Sequence, residues 1–244
     1  MIKNWQPKKI GYVHESPGRA LADRFLYEEL GRLLPKKEVS MLDIGCGSGY
    51  IRKIFYDLGY KLFYAGVDIE KHKNFEQFNQ YTGASDFVKI KIEDFNTSNT
   101  YDIVFSNCAL EHIERDALAV KKSLELLKED GVVIHIVPAF WSLFLYLRHG
   151  YRRYSINRLR KMLGRNVDIY KLGGVFSFLL HLFFITIPEV FLKTNKPRQS
   201  NLYSKLLLIS NRLDRLLPLC QSFYLVVKNP SSRAELTTGQ AKNV

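Results

Sequence analysis

Apolar residues along this chain occur in two alternating patterns. Short continuous apolar runs are typical of strands buried on both faces, whereas apolar residues repeating every three or four positions indicate helices with one packed face. Because the two patterns alternate in units of about 30 residues, we predict an α/β fold. Its sheet is expected to be doubly wound, mostly parallel and seven-stranded, with helices on both faces. Strands are predicted at residues 40–45, 62–69, 87–92, 101–106, 131–137, 167–172 and 223–228, and helices at 17–34, 50–58, 72–81, 117–127, 155–163 and 201–217.

The same pattern divides the 244 residues into four parts. A lead-in and a helix occupy residues 1–39, and residues 1–15 are expected to be loosely ordered. Residues 40–138 are predicted to form the core of the sheet. Residues 139–229 are expected to complete the sheet and to add a helical elaboration that is apolar and basic. Residues 230–244 are polar and are predicted to be a disordered tail.

Residues 175–192 are the most apolar stretch of the chain. Their length is near the lower limit for a membrane-spanning helix, and His181, Pro188 and Glu189 interrupt the apolar run. The stretch is therefore interpreted as a buried helix, or as a hydrophobic cap or a surface that dips into an anionic membrane, in preference to a single span.

The net charge of +12 is concentrated towards the end of the chain. Residues 1–140 carry 19 Lys and Arg against 20 Asp and Glu, whereas residues 141–244 carry 17 against 4. A basic, aromatic-rich region predicts contact with an anionic partner, and phosphate groups, nucleic acid and anionic lipid all satisfy this pattern. The three cysteines are widely spaced, so no metal site or disulfide framework is predicted. The first residues lack the apolar segment of a secretory signal, so a cytoplasmic location is expected.

The clearest candidate for chemistry is the segment 41–53, MLDIGCGSGYIRK. It reads as a buried strand, a glycine turn and the start of a helix, an arrangement that lets a ligand approach the backbone closely. A dinucleotide-binding turn has a third glycine where this chain has Tyr50, and the chain has no phosphate-binding G-x-x-x-x-G-K-[ST] motif.

The segment resembles motif I of the class I S-adenosylmethionine-dependent methyltransferases, D-x-G-C-G-x-G. Three further matches follow in order: Asp68 at the end of the second predicted strand, YDIVFSNCALEHI at 101–113, and LLKEDGVVIHIVP at 126–138. The resemblance covers about residues 40–138. It implies a Rossmann-like fold and S-adenosyl-L-methionine as the cofactor.

The resemblance also implies roles for individual residues around that cofactor. Asp68 would accept hydrogen bonds from both ribose hydroxyls, and Ile69 would pack on the adenine. An acid after the third predicted strand would contact the adenine amino group; one alignment places Lys91 there, and a shifted alignment, which we favour, places Glu93 or Asp94 there. The remaining residues implied to surround the methionine part are Asp43 at its ammonium, Gly45, Cys46, Gly47 and Gly49 in the turn, and Ser106 and Asn107 beside its carboxylate and methyl group.

Two histidines are candidates for a general base. His149 lies in RHGYRRYS, which resembles a segment of related enzymes that act on cell-surface saccharides and lipids. There His149 would take a hydroxyl proton, while Arg152, Arg153 and Tyr154 would bind the acceptor; the alternative is a solvated basic loop. His112 is the second candidate, although the turn that holds it is architectural in related proteins.

The acceptor is expected to be an oxygen atom of a saccharide, a lipid-linked intermediate or a small amphipathic molecule. Alternatives are C-methylation of a quinone-like ring, RNA methylation, and a partner subunit that binds the cofactor without catalysis. Nucleic acid is disfavoured because Asn107 is followed by Cys-Ala-Leu rather than by the Pro-Pro-aromatic segment of amine-methylating enzymes. An anionic membrane surface is a further expected partner.

Overall fold

The computed structural model describes residues 1–8, 14–146 and 150–228, and these residues form one mixed sheet of eight strands with helices on both faces. The strands are β1 (Ile2–Trp5), β2 (Glu38–Ile44), β3 (Lys61–Asp68), β4 (Ala84–Lys89), β5 (Tyr101–Asn107), β6 (Leu127–Pro138), β7 (Asp168–Leu172) and β8 (Phe223–Lys228). The α-helices are α1 (Pro17–Leu33), α2 (Ile51–Asp57), α3 (Asp116–Glu125), α4 (Ile156–Leu163), α5 (Val175–His181), α6 (Ile187–Phe191) and α7 (Asn201–Leu213). Short 3₁₀ helices lie at Phe75–Tyr81, Ile92–Asp94, Leu110–His112 and Phe140–Phe144, and a π-helical turn at Leu182–Thr186.

The strand order is β1-β7-β8-β6-β5-β2-β3-β4. Only β8 runs against its neighbours, pairing antiparallel with both β6 and β7. The predicted doubly wound, mostly parallel sheet is therefore confirmed. The carboxyl ends of β2, β3, β5 and β6 meet at one edge, which is where open α/β sheets place their ligands.

The sheet has one strand more than the seven predicted, and this additional strand is β1. It corrects the expectation that residues 1–15 are loosely ordered. Ile2–Trp5 pairs in parallel with β7, and the amino group of Met1 donates a 2.7 Å hydrogen bond to the Val167 carbonyl. Trp5 is buried with its ring centroid 5.1 Å from that of Phe25. Four residues are too few for an alternating pattern to be recognised, so pairing with β7, rather than local sequence, determines this strand.

Two apolar layers cover the faces of the sheet. One contains Leu21 and Phe25 of α1 and Ile54 of α2, and the other contains Val120 of α3 and Leu159 of α4. Because the two layers cover both faces of the sheet, the strands β2, β5 and β6 are largely buried on both sides. This explains the apolar runs in their sequences.

The apolar stretch 175–192 is one helical run in which α5, the π-helical turn and α6 follow each other. Leu180 and Ile185 pack against Tyr203 and Leu207 of α7, so one side of the run is buried, as the buried-helix interpretation expects. Across the part of the chain that the structure describes, no helix combines the length and hydropathy needed to cross a membrane.

Two elements differ from the predicted ones and a third begins as predicted. The expected helix at 72–81 is a shorter 3₁₀ helix, and β4 begins and ends three residues before its predicted range. Helix α4 begins as predicted, because the Ser155 hydroxyl accepts a 3.2 Å hydrogen bond from the Arg158 backbone N–H. The predicted tail at 230–244 and the candidate base His149 lie outside the described residues.

Candidate functional site

The glycine turn joins β2 to α2, and a different physical constraint explains why each of its three positions is a glycine. All three have positive φ angles, of 65°, 50° and 66° for Gly45, Gly47 and Gly49. A Cβ on Gly45 would lie 2.4 Å from that of Ala109, and one on Gly49 would collide with the Arg52 guanidinium, whereas one on Gly47 would meet nothing within 4 Å. Gly47 therefore leaves its backbone open towards a ligand.

Arg52 holds the turn from beneath, with its side chain completely buried. Its guanidinium donates to the carbonyls of Gly49 at 3.0 Å, Ser48 at 3.1 Å and Phe75 at 2.6 Å. These carbonyls have few other hydrogen-bond partners because the turn interrupts regular backbone pairing. Arg52 therefore supplies hydrogen bonds to the carbonyls of the turn and connects the turn to the 3₁₀ helix at Phe75–Tyr81.

Asp43 lies within this support rather than on an open surface. Its carboxylate accepts a 2.6 Å hydrogen bond from the Tyr64 hydroxyl, and it is 3% exposed. Burial raises the pKa of Asp43 to about 7, against the opposing effects of the Tyr64 hydrogen bond and the Arg52 charge. The Tyr64 contact occupies one carboxylate oxygen, and the contact of Asp43 with a methionine ammonium, directly or through water, stays a prediction.

Asp68 ends β3 next to the turn, as predicted. One carboxylate oxygen accepts from the Gly47 backbone N–H at 2.9 Å, and the other accepts from the Ile69 N–H at 2.7 Å. Ile69 is 65% exposed, an unusual position for a large apolar side chain and one suited to packing on a planar ligand. The Ile90 N–H donates to the Asp68 carbonyl at 2.9 Å, which brings the exit of β4 beside this carboxylate.

Glu93 and Asp94 follow that exit in the 3₁₀ turn Ile92–Asp94. Asp94 is exposed and Glu93 is half-buried. Both carboxylates are therefore near the edge of the sheet that carries Asp68 and Ile69, and their role at the adenine stays a prediction.

A cavity of about 410 Å³ opens beside the glycine turn. It extends from the turn to the start of α1 and to the segment that follows β6. Its lining combines residues that the sequence predicted with residues that it did not. The walls are formed by Ser16, Arg19, Ala22, Gly45, Cys46, Gly47, Ser48, Tyr50, Asn107, Cys108, Glu111, Ile136, Pro138, Tyr146, Arg153 and Phe223.

A chain of hydrogen bonds connects three elements around this cavity. The Asn107 amide donates to the Tyr50 hydroxyl at 2.6 Å, and that hydroxyl donates to Asp23 of α1 at 2.8 Å. The Arg19 guanidinium lies 4.5 Å from the centre of the Tyr50 ring. Burial raises the pKa of Asp23 to about 6. The end of β5 is thereby fixed relative to the glycine turn and α1.

Glu111 and Arg153 form the opposite wall. Glu111 is 1% exposed, and its burial raises its pKa to about 7 against the nearby charge of Arg153. Arg153 donates to the carbonyls of Arg152 at 2.9 Å and Tyr146 at 2.7 Å. Oε2 of Glu111 and Nε of Arg153 are both buried and have no hydrogen-bond partner among the described residues.

Four predicted site residues lie outside the lining of the cavity. Ser106 alternates with Asn107 along β5, so its completely buried hydroxyl meets His135 Nδ1 at 2.8 Å instead of the cavity. Tyr154 is completely buried and donates to Asp116, and Arg152 donates to the carbonyls of Ile113 and Glu114. These two side chains connect the turn to neighbouring elements and do not line the cavity, and their role at the acceptor stays a prediction.

His112 is the fourth of these residues. It is exposed and does not line the cavity, because the 3₁₀ turn Leu110–His112 directs Glu111 inwards and His112 outwards. Its role as a base stays a prediction.

Sequence reasoning missed Arg19, Tyr50, Glu111 and Tyr146 as cavity residues. Glu111 had a visible signal, since it directly precedes His112 in the motif. Arg19 and Tyr146 had none, because α1 and the segment after β6 meet the glycine turn only in the folded chain.

The residues present fit S-adenosylmethionine. This cofactor has a ribose diol, an adenine, a sulfonium and an amino-acid end, but no phosphate. Asp68 presents carboxylate oxygens for a diol, Ile69 presents an apolar surface for a ring, and Asn107 presents a polar side chain to the cavity, while Gly47 leaves space for a ligand close to the backbone.

Comparison with known proteins agrees with this geometry. A family model described as a methyltransferase domain matches residues 42–135. A human protein named arginine-hydroxylase NDUFAF5, mitochondrial, is 30% identical over 54% of this chain and 38% of its own length. A malonyl-[acyl-carrier protein] O-methyltransferase of Calditerrivibrio nitroreducens is 29% identical over 46% of this chain and 45% of its own length. This chain thus spans less than half of either relative.

A solved structure has the same fold at low sequence identity. It is the 1,6-didemethyltoxoflavin-N1-methyltransferase of Burkholderia thailandensis with bound S-adenosylhomocysteine, 16% identical, with a TM-score of 0.50 over 85% of this chain and 78% of that one. The family model identifies residues 42–135 as a methyltransferase domain, a family whose cofactor is S-adenosylmethionine, and the solved structure shows that the fold is the Rossmann-like one of the class I methyltransferases.

Proposed function

We propose that this chain transfers the methyl group of S-adenosylmethionine to an oxygen atom of a saccharide, a lipid-linked intermediate or another small amphipathic acceptor. The observation that carries the proposal is the cavity that runs from Gly45, Gly47 and Asn107 to Glu111 and Arg153. One end suits the methyl donor and the other presents a buried carboxyl and a guanidinium to a second molecule. The name of the C. nitroreducens relative, an O-methyltransferase, supports an oxygen acceptor.

The bound cofactor supplies an already activated methyl group on a sulfonium. The protein's own contribution is then alignment and exclusion of water, which can account for much of the rate enhancement of such a displacement. Tyr50 fixes Asn107 at the donor end, while Tyr146 and Phe223 line the wall with rings whose centroids are 5.9 Å apart. Arg19 and Arg153 give the cavity positive charge, which favours an acceptor carrying an anionic group.

The cavity wall is continuous with the apolar run 175–191. The Tyr146 ring lies 4.9 Å from that of His181, and the Thr186 hydroxyl donates to the Leu145 carbonyl at 2.8 Å. The outer side of this run is apolar and exposed at Leu179 and Phe183. This arrangement supports an amphipathic acceptor presented at an anionic membrane surface, and we propose a cytoplasmic, membrane-associated location on that basis.

The test is transfer of a labelled methyl group from S-adenosylmethionine into fractionated cell extract. We expect label to appear in an acceptor fraction as a methyl ether or ester, and Asp68→Ala to serve as the variant impaired in cofactor binding. Label on carbon would favour the C-methyltransferase alternative, and label in RNA the nucleic-acid alternative. Cofactor binding without any transfer would overturn the enzymatic proposal in favour of a non-catalytic partner subunit.

A further inference from the structure

We propose that Glu111 is the catalytic base of this site and that Arg153 anchors the acceptor beside it, which selects acceptors carrying a hydroxyl next to an anionic or carbonyl oxygen. The inference rests on the proposed function and deepens it by naming the proton acceptor and the acceptor class.

The first observation is the pair of unsatisfied atoms in one cavity. Oε2 of Glu111 and Nε of Arg153 are buried, line the same cavity and have no hydrogen-bond partner among the residues that the structure describes. Buried polar atoms in proteins almost always have partners, so two such atoms at one cavity indicate a ligand that completes them. One atom accepts a hydrogen bond and the other donates, so the complementary ligand presents a donor and an acceptor side by side.

The second observation is that both side chains are held in place by the backbone. The Tyr151 N–H donates to the Glu111 carbonyl at 2.7 Å. Gly150, at φ 71°, lies so close that a Cβ there would be 2.9 Å from Cγ of Glu111. Two carbonyls, of Arg152 and Tyr146, accept from the terminal nitrogens of Arg153. This support fixes the guanidinium so that its Nε–H, which no described residue accepts from, is available to a ligand, and it restricts the orientation of the carboxyl group.

The third observation is the electrostatic setting of Glu111. Within residues 14–146 and 150–228, the ionisable groups that interact with it are Arg153, Cys108 and Tyr154. Burial raises the pKa of the Cys108 thiol and of the Tyr154 hydroxyl, so both are neutral, and Arg153 is the charged group that acts on the carboxylate from the described part of the chain. A carboxyl whose pKa is raised to about 7 is a better proton acceptor near neutral pH than an ordinary glutamate.

The step balances without another reactant. The acceptor O–H bond breaks and its proton moves to Oε2 of Glu111. The hydroxyl oxygen forms a bond to the methyl carbon as the carbon–sulfur bond breaks, and the electron pair of that bond neutralises the sulfonium. The products are the methylated acceptor, S-adenosylhomocysteine and protonated Glu111, which returns its proton to solvent.

The experiment compares Glu111→Gln, Glu111→Asp and Glu114→Gln, using as probe the extract fraction that accepts label from the wild-type protein. Glu114 is the matched control because its side chain is exposed in the same segment. We expect Glu111→Gln to lose transfer by about 100-fold or more, Glu111→Asp to retain part of it, and Glu114→Gln to match wild type. All three should bind S-adenosylhomocysteine as wild type does, which separates a chemical defect from misfolding.

The pH profile adds a readout that a structural role would not change. The wild-type rate should rise through an apparent pKa near 7, and that rise should be absent from the residual rate of Glu111→Gln. Transfer by Glu111→Gln within twofold of wild type, or an unchanged pH profile, would overturn the assignment while leaving the proposed function intact. Absence of transfer by the wild-type protein, with cofactor binding retained, would instead overturn the proposed function and this inference with it.

Discussion

The side-chain amide of Asn107 donates a 2.6 Å hydrogen bond to the hydroxyl of Tyr50. Tyr50 stands at the position where a dinucleotide-binding turn has its third glycine. Its hydroxyl also donates to Asp23, so one tyrosine connects the glycine turn to the end of β5 and to α1. Tyr50 therefore does two things: it replaces the glycine that a dinucleotide-binding motif requires, and its hydroxyl orients the Asn107 side chain in the cavity.

Tyr50→Phe should reduce methyl transfer about fivefold while leaving the fold intact. The substitution removes a hydroxyl that is worth about 1 kcal/mol as a hydrogen-bond partner and frees the Asn107 amide to rotate. Tyr56→Phe is the control, because Tyr56 lies on the adjoining α2 and is 56% exposed. Transfer rates and melting temperatures of both variants check the prediction. A Tyr50→Phe enzyme as active as wild type would show that the orientation of Asn107 does not limit the reaction.

Asp68→Ala should weaken the binding of S-adenosylmethionine at least tenfold. The variant loses a charged partner for the ribose hydroxyls and also releases the Gly47 N–H that the carboxylate now holds at 2.9 Å. Isothermal titration calorimetry measures the affinity, and Asp86→Ala on the neighbouring β4 is the control because its carboxylate is exposed. Equal affinities for wild type and Asp68→Ala would remove Asp68 from the cofactor site.

The sequence was sufficient to predict most of the fold, for physical reasons that particular elements illustrate. Strands β2, β5 and β6 are buried on both faces, so their apolar runs stand out locally. Strand β1 was missed because its four residues exist as a strand only through pairing with β7. The local sequence pattern predicts strands and helices in which buried positions recur regularly. It does not predict a strand that forms only by pairing with a strand distant in sequence.

The candidate site was predictable to the extent that it lies in contiguous motifs. Gly45, Gly47 and Asn107 were predicted and line the cavity, and Asp68 was predicted and contacts the turn. Side-chain direction was the part that sequence could not supply. In the 3₁₀ turn Leu110–His112, the sequence pointed to His112 as a candidate general base. In the structure His112 is exposed, and the buried Glu111 beside it lines the cavity.

Glu111→Gln should stabilise the protein at pH 8 and have little effect near pH 4. Burial raises the pKa of Glu111 from 4.5 to about 7, so between these values the folded protein binds more protons than the unfolded chain. Its free energy of unfolding therefore falls as the pH rises through this window. The penalty reaches about 3 kcal/mol above pH 7, and a neutral glutamine avoids it.

Urea denaturation of wild type, Glu111→Gln and Glu114→Gln at pH 4, 6 and 8 measures this effect. The difference between wild type and Glu111→Gln should grow with pH, whereas Glu114→Gln should follow wild type throughout. A Glu111→Gln protein that is less stable than wild type at every pH would mean that its carboxyl is satisfied in the folded state and that its pKa is not raised.

The outer side of the run 175–191 presents large apolar side chains to solvent: Leu179, Phe183, Val190 and Phe191 are 40%, 58%, 47% and 70% exposed. Exposed apolar side chains at helical spacing on one element indicate a surface that meets an apolar phase or a partner. Glu189, the one acid within the run, is paired with Arg198 at 3.3 Å. Lys193 and Lys196 follow directly and are exposed. Apolar side chains flanked by lysines suit the interface of an anionic bilayer.

The full chain should therefore co-sediment with vesicles of phosphatidylcholine containing phosphatidylglycerol, and less with phosphatidylcholine alone. Rising salt should weaken binding, because the electrostatic part is screened over a Debye length of about 10 Å at 0.1 M. The double variant Phe183→Ser, Phe191→Ser should lose most of the binding, and Tyr56→Ser, an equally exposed aromatic on α2, should retain it. Equal sedimentation of both variants, or none by wild type, would contradict a membrane role for this face.

If wild type instead forms dimers in solution that the double variant cannot form, the face joins two copies of the chain.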